Sequence, residues 1–170
     1  MTVHTRNYDD GDLEVCRSLW VQLTEWHRGI YDAPGIGGDN PGLQFDEHLN
    51  KVGSDQIWLA EIDGEVVGMT GLEPGIDEGT LQIEPLIVFP KASGSGVGKA
   101  LVEHLIGVIK SKGLRDLNVR VVGRNSEAIR FYHEMGFNKI GYIELFLDTT
   151  TATEQMWREG ESLADRSFLV

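Results

Sequence analysis

Three glycines at alternating positions, Gly94, Gly96 and Gly98, lie between an apolar stretch and an amphipathic stretch of the sequence. Glycine lets the backbone approach a ligand closely, and the first turn of a helix presents unpaired N–H groups and the positive end of the helix dipole. A glycine-rich turn that opens a helix is therefore a candidate phosphate site. The alternative is a tight turn that binds nothing. The candidate donors are the backbone N–H groups of Gly94, Ser95, Gly96, Val97, Gly98 and Lys99.

The spacing of this turn argues against two common nucleotide-binding motifs. A Walker A loop would need glycine at position 93 and serine or threonine at position 100, where the sequence has Ser93 and Ala100. The dinucleotide pattern G-x-G-x-x-G would need glycine at the position of Lys99. A plain nucleotide-phosphate binder is therefore disfavoured.

The periodicity of the apolar residues predicts the elements that position this turn. Helical spacing predicts helices over residues 10–27, 45–52, 96–112 and 126–135. Alternation and β-branched residues predict strands over residues 3–8, 57–62, 66–72, 80–89, 114–122 and 140–147. Asp63-Gly64 predicts a two-residue hairpin turn, and Pro85 predicts an edge or a bulge in its strand. The order predicts an α/β fold, a mixed sheet (α+β) with helices on both faces.

Composition and charge exclude several functional classes. The chain has 170 residues, of which 41% are hydrophobic and one is a cysteine. We therefore expect a single cytoplasmic domain over residues 1–170 without disulfides. The tail, residues 149–170, is expected to be a helix plus a strand or to be partly disordered. The net charge of −12 argues against nucleic acid as a partner. No apolar run is long enough to span a membrane, so a membrane is not an expected partner either. The five histidines lack metal-ligand spacing, so we expect no metal.

The charges are unevenly distributed along the chain. Residues 91–141 hold nine basic and four acidic side chains, whereas residues 51–90 hold one basic and eight acidic. This pattern favours an anionic ligand on the first segment and a cationic one near the second, although solvated faces are the alternative.

Two segments in the same chain resemble the acetyl-CoA-binding motifs of the GNAT superfamily of N-acetyltransferases. The first runs from Leu86 through Pro90 to the glycine turn, and the second from Asn125 to Tyr132, followed by Met135-Gly136-Phe137. The resemblance covers residues 56–147 and implies a GNAT-like fold, in which an antiparallel β-meander is followed by β-α-β-α-β and one parallel strand pair splays apart. Ser93 departs from the family's usual Arg or Gln, which removes one side-chain contact to phosphate.

The resemblance implies direct transfer of an acetyl group from acetyl-CoA, the cosubstrate, to a primary amine of a small molecule or peptide. Tyr132 stands at the family's general-acid position, and the N–H of Val88 is the expected donor to the oxyanion. Glu84 is the candidate general base, because on a regular strand it shares the face of Val88. A bulge at Pro85 would break that parity, and a water molecule is the alternative base. The implied cofactor-binding residues outside the turn are Leu86, Ile87, Val88, Asn125 and Tyr132.

The residues expected to bind the amine that accepts the acetyl group are assigned by residue type alone. Trp26, Tyr31 and Asp32 combine aromatic faces with a carboxylate, which suits a cationic amine. A non-catalytic acyl-CoA-binding regulatory or sensor domain is the alternative function, which the Ser93 departure leaves open. The apolar segment 140–147 or the tail predicts a possible homodimer, because an exposed apolar strand edge must be covered.

Overall fold

The computed structural model describes residues 2–147, 149, 159–163 and 166–169. The strands are β1 His4–Asn7, β2 Ile57–Ile62, β3 Glu65–Pro74, β4 Leu81–Val88, β5 Leu117–Val119, β6 Glu159–Leu163 and β7 Arg166–Leu169. The helices are α1 Leu13–Tyr31, α2 Gln44–Val52, α3 Val97–Ser111 and α4 Ser126–Glu134. A 3-10 turn capped by Asp9 precedes α1, so this helix starts later than the sequence predicts.

The first five strands form one mixed sheet in the order β1-β2-β3-β4-β5. All neighbours are antiparallel except β4 and β5, which are parallel. The predicted hairpin turn at Asp63-Gly64 is confirmed, since both residues have positive φ, 51° and 80°, as a tight two-residue turn requires.

Helices cover both faces of this sheet, as predicted. Cys16 and Leu19 of α1 and Phe45 of α2 pack with Met69 and Ile87 on one face. On the other face, side chains of α3 and α4 pack with strand residues in the cluster Trp58, Leu72, Ile83, Val102, Leu105, Ile109 and Tyr132. Burial of these side chains from water is the main stabilising contribution to the fold. No helix of the described residues is both long and apolar enough to cross a membrane.

Strand β4 leaves β5 partway along its length. Its pairing with β5 extends only over Leu81–Ile83, so the section Leu86–Val88 has no described strand on that side. This confirms the splayed parallel pair.

A bulge in β4 corrects the predicted orientation of Glu84. The register with β3 shifts between Thr70 and Leu72. Ile83 consequently packs on the α3 face and Ile87 on the α1 face, although four residues of regular strand would place them on the same face. The prediction that Glu84 shares the face of Val88 is therefore wrong, whereas the alternative of a bulge at Pro85 is confirmed.

The strand predicted over residues 140–147 is also wrong. The segment has no regular secondary structure, and Ile140 and Leu147 are 79% and 86% exposed. Strand β5, three residues long against nine predicted, offers too short an edge for a stable ladder. The hydroxyl of Tyr142 instead donates to Asp77 Oδ1 at 2.9 Å. In the tail, β6 and β7 form a separate antiparallel pair, and the predicted tail helix lies outside the described residues.

Candidate functional site

A groove of about 710 Å³ opens where the glycine turn, β4 and α4 meet. Its walls come from three parts of the chain that are distant in sequence. The lining residues are Leu86, Val88, Ala92, Ser93, Gly94, Gly96, Val97, Gly98, Lys99, Glu103, Ile106, Phe131, Glu134 and Met135.

The glycine turn presents a set of unpaired backbone donors at one end of this groove. Gly94 and Gly96 have φ of 73° and 86°, a left-handed conformation that favours glycine, and no side chain caps α3. The amide of Ser95 donates to the Ala92 carbonyl at 3.3 Å. The prediction that the Ser95 amide is a free donor is therefore wrong, because this amide is already paired. No described atom accepts from the amides of Gly94, Gly96, Val97, Gly98 and Lys99, which can therefore hold an anion.

Charged side chains modify the turn only at its margin. Ser93 lines the groove, where the resemblance implies an Arg or Gln. Lys99 also lines the groove, with its Nζ 3.8 Å from Glu103 Oε1. Backbone donors therefore make up most of this candidate anion site, and Lys99 lies beside them.

The free edge of β4 supplies a second donor set. Phe89 N–H donates to the Val67 carbonyl of β3 at 2.9 Å. Because successive N–H groups point to opposite edges of a strand, those of Leu86 and Val88 point away from β3, to the side where pairing with β5 has ended. Ile87 does not line the groove, since its side chain is 5% exposed in the core under α1.

Helix α4 forms the opposite wall and is held by its cap. Asn125 Oδ1 accepts from the Ala128 amide at 3.0 Å, which fixes the first turn of α4. Phe131 and Met135, one turn apart, line the groove. The assignment of site residues from the sequence missed both, although their i,i+4 spacing on α4 was a usable signal.

Tyr132 is buried behind this wall rather than in it. It is 8% exposed, with the rings of Phe131 and Phe137 at 5.0 and 5.4 Å between centroids. Burial, and then the charge of Glu84, raise the pKa of the phenol well above its ordinary value. The hydroxyl therefore keeps its proton at neutral pH, as a proton donor must.

Glu84 lies in the β4 bulge with other charged groups around it. Burial and the neighbouring Glu73 carboxylate raise the pKa of Glu84, whereas Lys51 and Arg120 act in the opposite direction.

The three residues expected at the acceptor end lie at the end of α1, and none lines the groove. Trp26 is 40% exposed and packs edge-on against His27. The guanidinium of Arg124 lies 5.2 Å from the centroid of the Tyr31 ring. Asp32 ends α1 with a φ of 52°. The end of α1 is therefore held beside the residue that precedes the cap of α4.

Two other sequence expectations concern cysteine and metal. Cys16 is fully buried, and burial raises the pKa of its thiol to about 12, so it is a core residue. Among the described residues no group of three or more His, Cys, Asp or Glu side chains could hold a metal ion.

Comparison with known proteins gives consistent matches. A model of the acetyltransferase (GNAT) family matches residues 20–137. N-acetyltransferase 8 of Rattus norvegicus is 35% identical over 100 residues, which are 56% of this chain and 44% of that protein. The ribosomal protein bS18-alanine N-acetyltransferase of Escherichia coli is 30% identical over 92 residues, 54% of this chain and 61% of that protein.

The fold is also similar to solved structures. The crystal structure of PaiA N-acetyltransferase from Thermoplasma acidophilum in complex with coenzyme A superposes with a TM-score of 0.66 at 18% identity, covering 99% of this chain and 97% of that one. The chain spans less than half the length of the rat relative. Because the family model matches more than half of the chain, this protein belongs to the GNAT acetyltransferase family.

Proposed function

We propose that this protein is an acyl-CoA-dependent N-acetyltransferase that transfers the acetyl group of acetyl-CoA directly to a primary amine of a small molecule or peptide. The observation that carries the proposal is the continuity of the groove, which joins five unpaired amides at the glycine turn to the free edge of β4. The amides suit the pyrophosphate, and the strand edge suits the amide groups of the pantetheine arm. Relatives named as N-acetyltransferases support the same activity.

Val88 lines the groove, whereas Glu84 and Tyr132 lie outside its lining, and these three residues divide the chemical work. The thioester supplies the acetyl group, and the N–H of Val88 stabilises the negative charge that develops on its carbonyl oxygen. As the C–N bond forms and the C–S bond breaks, Glu84 takes the proton from the amine, directly or through water, and Tyr132 gives a proton to the departing sulfur. The raised pKa of each group supports these assignments, since Tyr132 stays protonated and Glu84 is a stronger base than a solvated carboxylate.

The acceptor region is proposed to include Trp26, Tyr31 and Asp32, beside the start of α4. The contact of Arg124 with Tyr31 supports the proximity of this region to the second motif. A cytoplasmic location and a homodimer stay predictions. The molar mass in light scattering tests the homodimer.

The test is turnover with a panel of primary amines. Free thiol should appear only with acetyl-CoA and an amine together, and mass spectrometry should show the amine one acetyl group heavier. If no amine in a panel of amino acids, alkyl amines, aminoglycosides and peptide N-termini releases thiol above the uncatalysed rate, the activity is refuted. Acetyl-CoA binding without turnover in that panel would favour the regulatory alternative.

A further inference from the structure

The groove continues past the glycine turn into a section between α3 and α4. The two helices are close beside the turn, because a Cβ on Gly98 would lie 3.5 Å from Cζ of the Phe131 ring. We call this part the interhelical section. Its lining residues are Lys99, Glu103 and Ile106 of α3, which share one helix face, and Phe131, Glu134 and Met135 of α4.

The proposed placement of acetyl-CoA leaves the interhelical section to the nucleoside. The amides of the glycine turn take the pyrophosphate, and the free edge of β4 takes the pantetheine arm. On the other side of its pyrophosphate, coenzyme A carries an adenosine with a phosphate on the 3′ oxygen. The apolar side chains of Ile106, Phe131 and Met135 suit the base of that adenosine.

The charged side chains of the interhelical section do not suit the 3′-phosphate. Lys99 is the only basic side chain among the described residues that line the groove, and its Nζ lies 3.8 Å from Glu103 Oε1. Glu134 forms no ion pair with another described residue. Two carboxylates against one ammonium group leave the section with an excess negative charge.

The backbone of α3 offers no compensating donor in this section. The N–H of Ala100 donates to the Gly96 carbonyl at 3.0 Å, and the amides that follow are paired within the helix. The unpaired amides are therefore confined to the turn, where the pyrophosphate takes them. A second phosphate beside α3 would meet the two carboxylates without backbone hydrogen bonds.

We propose that Glu103 and Glu134 select against the 3′-phosphate, so that the protein binds dephospho-CoA more tightly than coenzyme A. The inference rests on the proposed acetyl transfer. The two ligands differ only in that dephospho-CoA has a hydroxyl in place of the phosphate, which carries a charge of about −2 at neutral pH. Both carboxylates are exposed, so their repulsion acts through water. At about 8 Å in water, one excess carboxylate charge corresponds to roughly a fivefold difference in Kd.

The test measures the Kd of coenzyme A and of dephospho-CoA by calorimetry at low salt. The wild-type protein should bind dephospho-CoA about fivefold more tightly. Glu134→Gln should bring the ratio of the two Kd values to about one, and Glu134→Lys should reverse the preference, because each step adds about one positive charge to the section. Glu103→Gln should also bring the ratio to about one. Tighter binding of coenzyme A by the wild-type protein, or an unchanged ratio in these variants, would overturn the inference.

Salt provides a second readout that a change in folding would not give. Exposed charges are screened beyond about 3 Å in about 1 M KCl, so the ratio of the two Kd values should approach one there. Attraction of the 3′-phosphate by lysine or arginine would make added salt weaken coenzyme A more than dephospho-CoA. That result would overturn the inference.

Matched variants control for charge removed elsewhere. Glu127→Gln removes a carboxylate from α4 outside the groove lining. Glu65→Gln removes the carboxylate that pairs with Lys91, as Glu103→Gln does for Lys99. Neither control should change the ratio of the two Kd values. Equal effects of Glu127→Gln and Glu134→Gln would overturn the role of Glu134.

Binding separates failure of this inference from failure of the proposed activity. A preference for dephospho-CoA that Glu134→Gln removes would support the inference even if no amine is acetylated. Acetyl transfer by a protein that binds coenzyme A more tightly than dephospho-CoA would overturn the inference alone. Absence of binding of both ligands would overturn the inference and the proposed function together.

Discussion

The substitution Gly96→Ala isolates the contribution of the glycine turn. Gly96 has φ 86° and ψ 3°, and a Cβ added there would meet no heavy atom within 4 Å. The substitution therefore acts through the backbone and not through a clash. A left-handed conformation costs a residue with a Cβ about 1–2 kcal/mol. For a chain of this length that cost lowers the Tm by roughly 2–8 °C.

The effect on ligand binding should exceed the effect on stability. If the backbone rotates to relieve the strain, the amides of Gly96 and Val97 no longer converge on one point. A hydrogen bond to a charged group contributes about 1.5–3 kcal/mol, so each bond lost weakens acetyl-CoA binding about tenfold to a hundredfold.

Gly107→Ala is the matched control. Gly107 lies in the middle of α3, does not have positive φ, and has open space around its Cβ position. Alanine should stabilise the helix by about 0.5–1 kcal/mol and leave the Kd for acetyl-CoA unchanged. Calorimetry and thermal unfolding measure both quantities. A Gly96→Ala variant with the wild-type Kd, or equal weakening in both variants, would show that the amides of the glycine turn do not hold acetyl-CoA.

Three further predictions concern other parts of the site. Tyr132→Phe should lower kcat by about 10²–10⁴-fold and leave the Kd for acetyl-CoA unchanged, and an unaltered kcat would exclude the general-acid role. Because the pKa of Glu84 is raised in the folded protein, stability is lost as the pH rises from 4.5 through the folded pKa. Glu84→Gln should therefore raise the Tm at neutral pH but not at about pH 4. An equal change in Tm at both pH values would contradict this expectation. Gly68→Ala should displace α3, because its Cβ would lie 2.8 Å from Val97 Cγ1 and 3.0 Å from the Ile87 carbonyl oxygen. Its Tm should fall by several degrees and acetyl-CoA binding should weaken, whereas a wild-type Tm would show that α3 yields without cost.

The features that the sequence predicts well depend on neighbouring residues. Glycines at 94 and 96 are required by their own positive φ, and Asn125 caps the helix that begins at the next residue. The Asp63-Gly64 turn likewise depends on two adjacent residues. Local patterns of this kind carry enough information to predict the glycine turn, the caps and the order of the elements.

The features that the sequence does not predict depend on pairing between distant segments. The orientation of Glu84 is set by the register of β4 against β3, which shifts opposite Gly71. Residues 140–147 can form a strand only if β5 is long enough to pair with them. The alternation of apolar residues within 140–147 carries no information about the length of β5.

Thermal unfolding with acetyl-CoA, ATP or NAD tests whether the groove is an acyl-CoA site. We expect a higher Tm with acetyl-CoA and an unchanged Tm with ATP or NAD. At a hundredfold excess over Kd the stabilisation is about 2.7 kcal/mol, which corresponds to roughly 5–11 °C for a chain of this length. An unchanged Tm at millimolar acetyl-CoA, or equal shifts with ATP and NAD, would mean that the groove is not a specific acyl-CoA site.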